Sequence, residues 1–408
     1  MTNRTRFWEH RAALTLALLG ALSAPTWAQD DPSLVASDLA EGTRLSTSLQ
    51  AGASYTSNFF YAPSPREESA TGLLVEPAVT LSHVLPRFKF LAGADAEFGM
   101  FDLPGSVDDY EDYRIKLGSE WQPAMRHRFT FGGSLRYDHD PFGTERTENT
   151  PLENREIDEW REPRMDVEYR WGLPHDRYNI EIRGFASDKE YSNNREVTQF
   201  LDHQLLNAQL LLFYNIGPKT SVFLNFADQR AYYPNVAPNA FDRGSNTLRY
   251  LVGARWLATA KTSGDVRIGY VDRNPRDPDR DDFQRLDWRA DVAWSPRAVR
   301  ELRLTTGRSS QESFLNTVDF INNRYVAVEW IEQWTPRFQS RLSGRYVDSQ
   351  FVGSAREDDF IGFALGATYK ATRGLSLLAF ASNGERDSEI EFANYDRFYA
   401  YLGARYER

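Results

Sequence analysis

From about Thr43 to the C-terminus, apolar and polar residues alternate one by one rather than every three to four positions. A period of two predicts β-strands, because successive side chains of a strand point to opposite faces. Phe88 to Phe98 puts aromatics and alanines on one face and Lys89, Gly93, Asp95 and Glu97 on the other. Tyr113, Ile115, Leu117 and Trp121 alternate with Arg114, Lys116, Gly118 and Glu120. Phe129, Phe131, Leu135 and Tyr137 alternate in the same way with Arg128, Thr130, Ser134 and Arg136. Met165, Val167, Tyr169 and Trp171 oppose Arg164, Asp166, Glu168 and Arg170, and Leu286 to Trp294 opposes Arg285, Asp287, Arg289 and Asp291. The last segment sets Phe398, Ala400, Leu402, Ala404 and Tyr406 against Tyr399, Tyr401 and Arg405. Each segment thus has one apolar face and one polar or charged face.

The connections alternate as well. Short turns recur at Leu85-Pro86-Arg87, Pro123-Ala124-Met125, Leu173-Pro174-His175, Gly217-Pro218-Lys219, Ser295-Pro296-Arg297 and Thr335-Pro336-Arg337. Lys261 to Gly264 and Ala371 to Gly374 do the same work without proline. Between them lie longer polar connections, such as Leu103 to Asp109, His139 to Arg155 and Asn274 to Asp282. The pattern predicts eight short turns, nine long loops and roughly 18 strands, all antiparallel, in an all-β up-and-down transmembrane barrel over residues 43–408. A soluble sandwich or propeller also alternates, but its strands average about 5–6 residues, and these segments reach about 10–13. Aromatics at segment ends, as in Tyr113/Trp121, Trp171/Tyr178, Trp288/Trp294 and Trp330/Trp334, suit interfacial girdles. Short turns are expected to face the periplasm and long loops the exterior.

Composition narrows the class. The 408 residues contain no Cys, which excludes disulfides, Cys-ligated metals and thiol chemistry. Arg4, Arg6 and Arg11 precede an apolar run from Ala12 to Leu22, and Thr26-Trp27-Ala28 ends on a small residue. Residues 1–28 therefore read as a cleaved signal peptide, followed by a short periplasmic segment over 29–42. Without residues 1–28 the chain keeps 45 basic and 57 acidic residues, a net charge of −12. An exported acidic chain is a poor match for nucleic acid. The partners expected of such a barrel are outer-membrane lipid and lipopolysaccharide. No cofactor is expected.

A ring of 16–18 strands is too wide for side chains to fill, so a polar lumen is expected. Candidate lumen-lining residues are Arg114, Lys116, Glu120, Arg128 and Arg136, then Arg164, Asp166, Glu168, Arg170 and Arg183. Later strands add Arg249, Arg255, Arg267, Asp287, Arg289, Asp291, Arg303, Arg341, Arg345 and Arg405. Two readings of these charges stand side by side: cross-strand ion pairs that stiffen the wall, or arginine rows that select an anion or acidic polymer. Catalytic signals are weak, and the expectation is no enzyme. The histidines lack ligand spacing, and Asp138-His139-Asp140 is the one acid–base cluster, in a context where turn-forming Asp beside a loop His is ordinary.

Leu45 to Phe60 resembles the first strand of the β-barrel porin families encoded beside exopolysaccharide genes. There an aromatic-ended strand, Asp-Asn and another aromatic lead into a polar loop; here Ser57-Asn58 stands in place of Asp-Asn. Asp109 to Arg114 and Phe398 to Gly403 also look like that group, whereas the ending Tyr406-Glu407-Arg408 departs from its usual terminal aromatic. The resemblance implies an outer-membrane conduit for a secreted polysaccharide, working with a periplasmic polysaccharide-export protein. Phe59, Phe60, Tyr61, Tyr232 and Tyr233 near the loop end are candidate surfaces for sugar contact. The alternative is a general or substrate-selective porin for small polar solutes. His139 to Arg155, the longest connection, could fold inward in either case.

Overall fold

The computed structural model describes residues 41–408 apart from 104–108, 149–156, 239, 258–260, 314 and 316–317; the expected signal peptide and nearly all of segment 29–42 lie outside the described residues. It contains the strands β1 (Gly42–Thr56), β2 (Ala70–Leu85), β3 (Phe88–Phe101), β4 (Tyr110–Ala124), β5 (His127–Asp140) and β6 (Asp158–Trp171). There follow β7 (Tyr178–Tyr191), β8 (His203–Gly217), β9 (Thr220–Tyr232), β10 (Ser245–Trp256), β11 (Thr262–Pro275) and β12 (Phe283–Arg297). The last six are β13 (Arg300–Gln311), β14 (Phe320–Thr335), β15 (Phe338–Val352), β16 (Glu357–Lys370), β17 (Leu375–Ser388) and β18 (Tyr395–Glu407). Each strand pairs antiparallel with its sequence neighbour, and β1 pairs with β18 from Ser48↔Glu407 to Thr56↔Tyr399, which closes an 18-stranded ring. Closure leaves no sheet edge, so the ladder satisfies the backbone groups that lipid cannot.

The outward face follows the alternation. Leu49, Leu73, Ile115, Val167, Leu206, Val252, Ile268, Leu304 and Leu365 are exposed on the outer surface. Facing lipid, this exposure is a solvation match rather than a defect. Trp121, Tyr178, Trp294 and Trp334 mark the short-turn end of the outer face, and Tyr55, Tyr113, Tyr137 and Tyr346 the long-loop end. These are the two girdles where amphipathic rings sit between hydrocarbon and water. Register shifts occur between Trp121 and Ala124, Asn215 and Gly217, Trp294 and Arg297, and Gln333 and Thr335. Each lies beside a short turn, so the inside–outside alternation runs unbroken across the span.

Several inward rings lie flat on the wall instead of projecting. A Cβ at Gly52 would come 2.6 Å from Tyr401 Cζ, because the Tyr401 ring covers that glycine at the β1–β18 seam. Phe223 covers Gly253 in the same manner. The alternation fails where Leu211, Phe213 and Phe223, on β8 and β9, form a buried apolar cluster on the inner face, and again where Leu74, Leu378, Tyr399 and Tyr401 pack together inside β2, β17 and β18. The polar inner face expected from the sequence is interrupted there.

Candidate functional site

The inner wall carries the candidate residues, and their partners are now visible. On β3 to β5, Arg114 contacts Asp95 at 2.9 Å, and Lys89 and Arg128 share Glu120 at 3.2 and 4.0 Å. Arg136 contacts Asp138 at 2.6 Å, and Arg164 contacts Asp166 at 2.9 Å. Glu168 and Glu181 each bind both Arg170 and Arg183, at 2.5 to 2.9 Å. Glu181 also reaches Arg255 on β10 at 3.8 Å, over the apolar patch of β8 and β9. Arg255 and Arg267 share Asp265 at 2.9 and 2.8 Å. Arg289–Asp291, Arg303–Glu301 and Arg341–Glu329 pairs complete the later strands, at 2.6, 3.2 and 3.3 Å, and Arg405 contacts Glu407 at 3.0 Å. Most of the candidate lumen charges are therefore ion-paired, which is what the wall-stiffening reading requires.

The two sides of the ring differ in balance. On β10 to β15 the inward positions hold Arg249, Arg255, Arg267, Arg273, Arg285, Arg289, Arg303, Arg341 and Arg345 against Asp265, Asp287, Asp291, Glu301 and Glu329, nine bases to five acids. On β2 to β7 they hold Lys89, Arg114, Lys116, Arg128, Arg136, Arg164, Arg170, Arg183 and Lys189, nine bases. Facing those are twelve acids: Glu76, Asp95, Glu97, Asp112, Glu120, Asp138, Asp140, Asp158, Glu162, Asp166, Glu168 and Glu181. One wall is net basic and the other net acidic.

The long-loop end is crossed by side-chain bridges. Glu148, in the β5–β6 connection, accepts from Arg356 Nη1 and Nη2 at 2.6 and 2.9 Å and from Arg386 Nη2 at 2.5 Å. Arg356 precedes β16 and Arg386 sits on β17; the shorter way round from β6 to them passes β5 to β1 and β18. Asp358 completes the cluster, taking Arg356 Nη2 at 2.6 Å and Ser388 Oγ at 2.5 Å. All four charged side chains are almost fully buried. Burial alone would lower the Arg356 pKa, but the bonds to Glu148 and Asp358 outweigh it and raise it. On the other half of the mouth, Glu312 accepts both contacts of Arg273 Nη2 at 3.0 Å and the Tyr233 hydroxyl at 3.2 Å. Arg243 donates to the Ser313 carbonyl at 2.7 Å and to the Phe200 carbonyl, and stacks on Tyr233 at 4.4 Å.

These contacts correct the expectation for the loop aromatics. Phe60 stacks edge-on against Phe59 and Phe142, and Tyr61 is buried with Val347, Phe360 and Tyr395. Tyr233 is buried beneath Arg243, and Tyr232 faces outward from β9. Their rings are consumed by packing or turned to the outer face, so they offer no open sugar platform in this arrangement. Asn58 organises the first loop: its Nδ2 donates to the Ala62 and Asp396 carbonyls at 2.8 and 3.1 Å, and its Oδ1 accepts from Ala62 N at 2.9 Å. The Ser57-Asn58 pair is thus a loop anchor across the seam, with Ser57 Oγ accepting from Phe398 N at 2.8 Å. His139 Nδ1 lies 2.9 Å from Asp112 Oδ1, and Asp138 is close by. Asp112 was invisible as a partner because it lies on the preceding strand.

Residues 44–408 match the model of the family described as "Putative beta-barrel porin 2". The chain belongs to this family. No curated protein matches it. Among solved structures it is similar to the siderophore receptor PirA from Acinetobacter baumannii, with a TM-score of 0.47, 6% identity, and 91% of this chain and 81% of that chain covered. It is also similar to OccAB4 of Acinetobacter baumannii, with a TM-score of 0.47, 10% identity, and coverage of 90% and 98%. OmpT of Vibrio cholerae gives a TM-score of 0.37 at 11% identity, covering 91% and 99%. This member of the porin family is an outer-membrane β-barrel whose lumen has one basic and one acidic wall.

Proposed function

We propose that this porin-family barrel conducts a secreted polysaccharide across the outer membrane, without a catalytic step. The observation that carries the reading is the inner wall, lined by charged side chains along β2 to β7 and β10 to β15, with its apolar clusters confined to other stretches such as β8–β9 and the region of the seam. Such a wall offers a hydroxyl-rich polymer hydrogen bonds at every level while holding it at none. The basic short turns, with Arg87, Arg126, Lys219, Arg297, Arg337 and Arg373, would meet a periplasmic export protein. The resemblance of the first strand to barrels encoded beside exopolysaccharide genes supports the same direction.

Deletion of the gene, with and without a plasmid copy, tests it. Secreted polysaccharide should fall and polymer should accumulate in the periplasm, with both restored by the plasmid. Unchanged secretion would remove the conduit reading. A second reading, diffusion of small polar solutes, is favoured by one observation: Glu148 ties the β5–β6 connection to the opposite side of the mouth. A connection held there narrows the entrance. Steady small-solute conductance with unchanged secretion in the deletion strain would select that reading.

A further inference from the structure

The arginines of the basic wall stand in tiers. Arg249 lies four residues above Gly253 on β10; Gly253 pairs with Arg267, and Arg267 pairs with Arg289 on the next strand. Four residues further down β12, Ala293 pairs with Arg303. Four residues of antiparallel strand span about 13–14 Å. Arg255 and Arg345 stand between the lower two levels, in line with Asp291, so guanidinium groups recur every two to four residues, about 7–14 Å, from the outer half of the lumen to its short-turn end. The middle tier is flanked by Gly253 and Gly307; the Phe223 ring lies over the first, 5.6 Å from Arg267, and the Tyr325 hydroxyl over the second.

The carboxylates of this wall are already engaged. Asp265 is shared by Arg255 and Arg267, and Asp291 binds Arg289 at 2.6 Å. Arg249 hydrogen-bonds Gln229 at 3.2 Å and, among the described residues, has no ion pair. Where arginines outnumber carboxylates, an incoming acid can take guanidinium contacts without displacing every wall partner.

We infer that this wall is a track for a carboxylate-bearing polysaccharide, whose acidic groups exchange with the wall carboxylates from tier to tier. The inference rests on the conduit reading and narrows its substrate. Guanidinium forks bind carboxylates in two-point contacts that an ammonium cannot make. A small anion meets one tier at a time. A polymer with acidic groups along its length engages two, and its second contact forms at the effective concentration set by the chain. The acidic wall opposite repels the same polymer and holds it against the arginines. The resident carboxylates compete at each tier, which keeps release fast enough for passage.

Planar-bilayer recording of the purified barrel tests this, with three probes: oligogalacturonate long enough to reach two tiers, galacturonic acid, and maltooligosaccharide of matching length. Oligogalacturonate should block the current at a concentration at least about tenfold below either other probe, given two linked contacts. R249Q should raise its blocking concentration by about two- to fivefold, the worth of one exposed ion pair, and R249K should lie between. Arg249 leaves no carboxylate orphaned, and unaltered strand-rich circular dichroism and heat-modifiable gel mobility verify the fold of both variants. Block by the monomer as strong as by the oligomer would overturn the tiered track. If the neutral chain blocks and the acidic one does not, the conduit stands and this assignment falls. If salt conducts freely and neither oligosaccharide blocks from either side, both fall.

Discussion

The wall of β2 to β7 and the wall of β10 to β15 are built from the same elements in different proportion. Both present antiparallel strands with outward aliphatics and inward charges. On the first, carboxylates exceed bases, and Glu168 and Glu181 each clasp both Arg170 and Arg183. On the second, arginines exceed carboxylates, and Asp265 must serve two of them. Pairing sets how stiff a wall is; the residual excess sets the sign of the field in the lumen. A barrel can thus be fully stapled by ion pairs and still present a transverse field, so the wall-stiffening and anion-selecting readings are compatible.

The contact that should matter most is the one joining the two halves at the mouth. E148Q removes the carboxylate between Arg356 and Arg386, leaving Arg356 with Asp358 alone and the buried Arg386 without its carboxylate. Breaking a buried pair in this way costs about 3–5 kcal/mol. Urea unfolding of the barrel from liposomes should show a loss of that size, with larger current fluctuation in bilayers. A loss below about 1 kcal/mol would mean that the bridge is solvated and the halves are independent.

A smaller effect separates the faces of a single strand on the basic wall. V252R places a charge on the lipid face near the middle of β10 and should cost about 2–4 kcal/mol. R249Q, three residues away on the lumen face, should stay within about 0.5 kcal/mol. The same liposome titration reads both. Equal costs would show that the inside–outside assignment of β10 is reversed, and with it the composition of that wall.

How much of this was legible in the chain depends on what each feature needs. Strand number, turn alternation and the charged faces of β3 to β6, β12 and β18 follow from local sequence, because a pleat repeats every two residues and proline marks the turns. The patch at Leu210 to Tyr214 does not alternate, so nothing local distinguishes the outward Leu212 from the inward Leu211 and Phe213. Partners across the ring are less readable still. Glu148 meets Arg356 and Arg386 because the ring closes, and closure is a property of all 18 strands together. The burial of the aromatics at 60 and 61 depends on the same loops, so the local sequence does not distinguish them from open surfaces. Asn58 belongs to a motif visible in the sequence, but its role as an anchor depends on the carbonyl of Asp396, on the far side of the seam.

The smallest effect expected is a pH dependence at the basic half of the mouth. Burial alone would raise the Glu312 carboxyl, but Arg273 and the Tyr233 hydroxyl outweigh it and hold its pKa below the ordinary value. Burial and the neighbouring Glu312 push the Tyr233 hydroxyl well upward, so it remains a neutral donor throughout. A carboxyl with a depressed folded pKa stabilises above its unfolded value, and that stabilisation is lost as pH falls through the folded value. The Arg273–Glu312 junction should therefore survive from pH 7 to about 4.3, the ordinary Glu value, and open only in stronger acid. Current fluctuation should be flat over that range and rise below it, and E312Q should show the acid behaviour already at pH 7. A rise beginning above the ordinary Glu value would mean that burial wins over Arg273. The excess of arginine would then fail to reach the loops, and the asymmetry of the two walls would end at the strand tips.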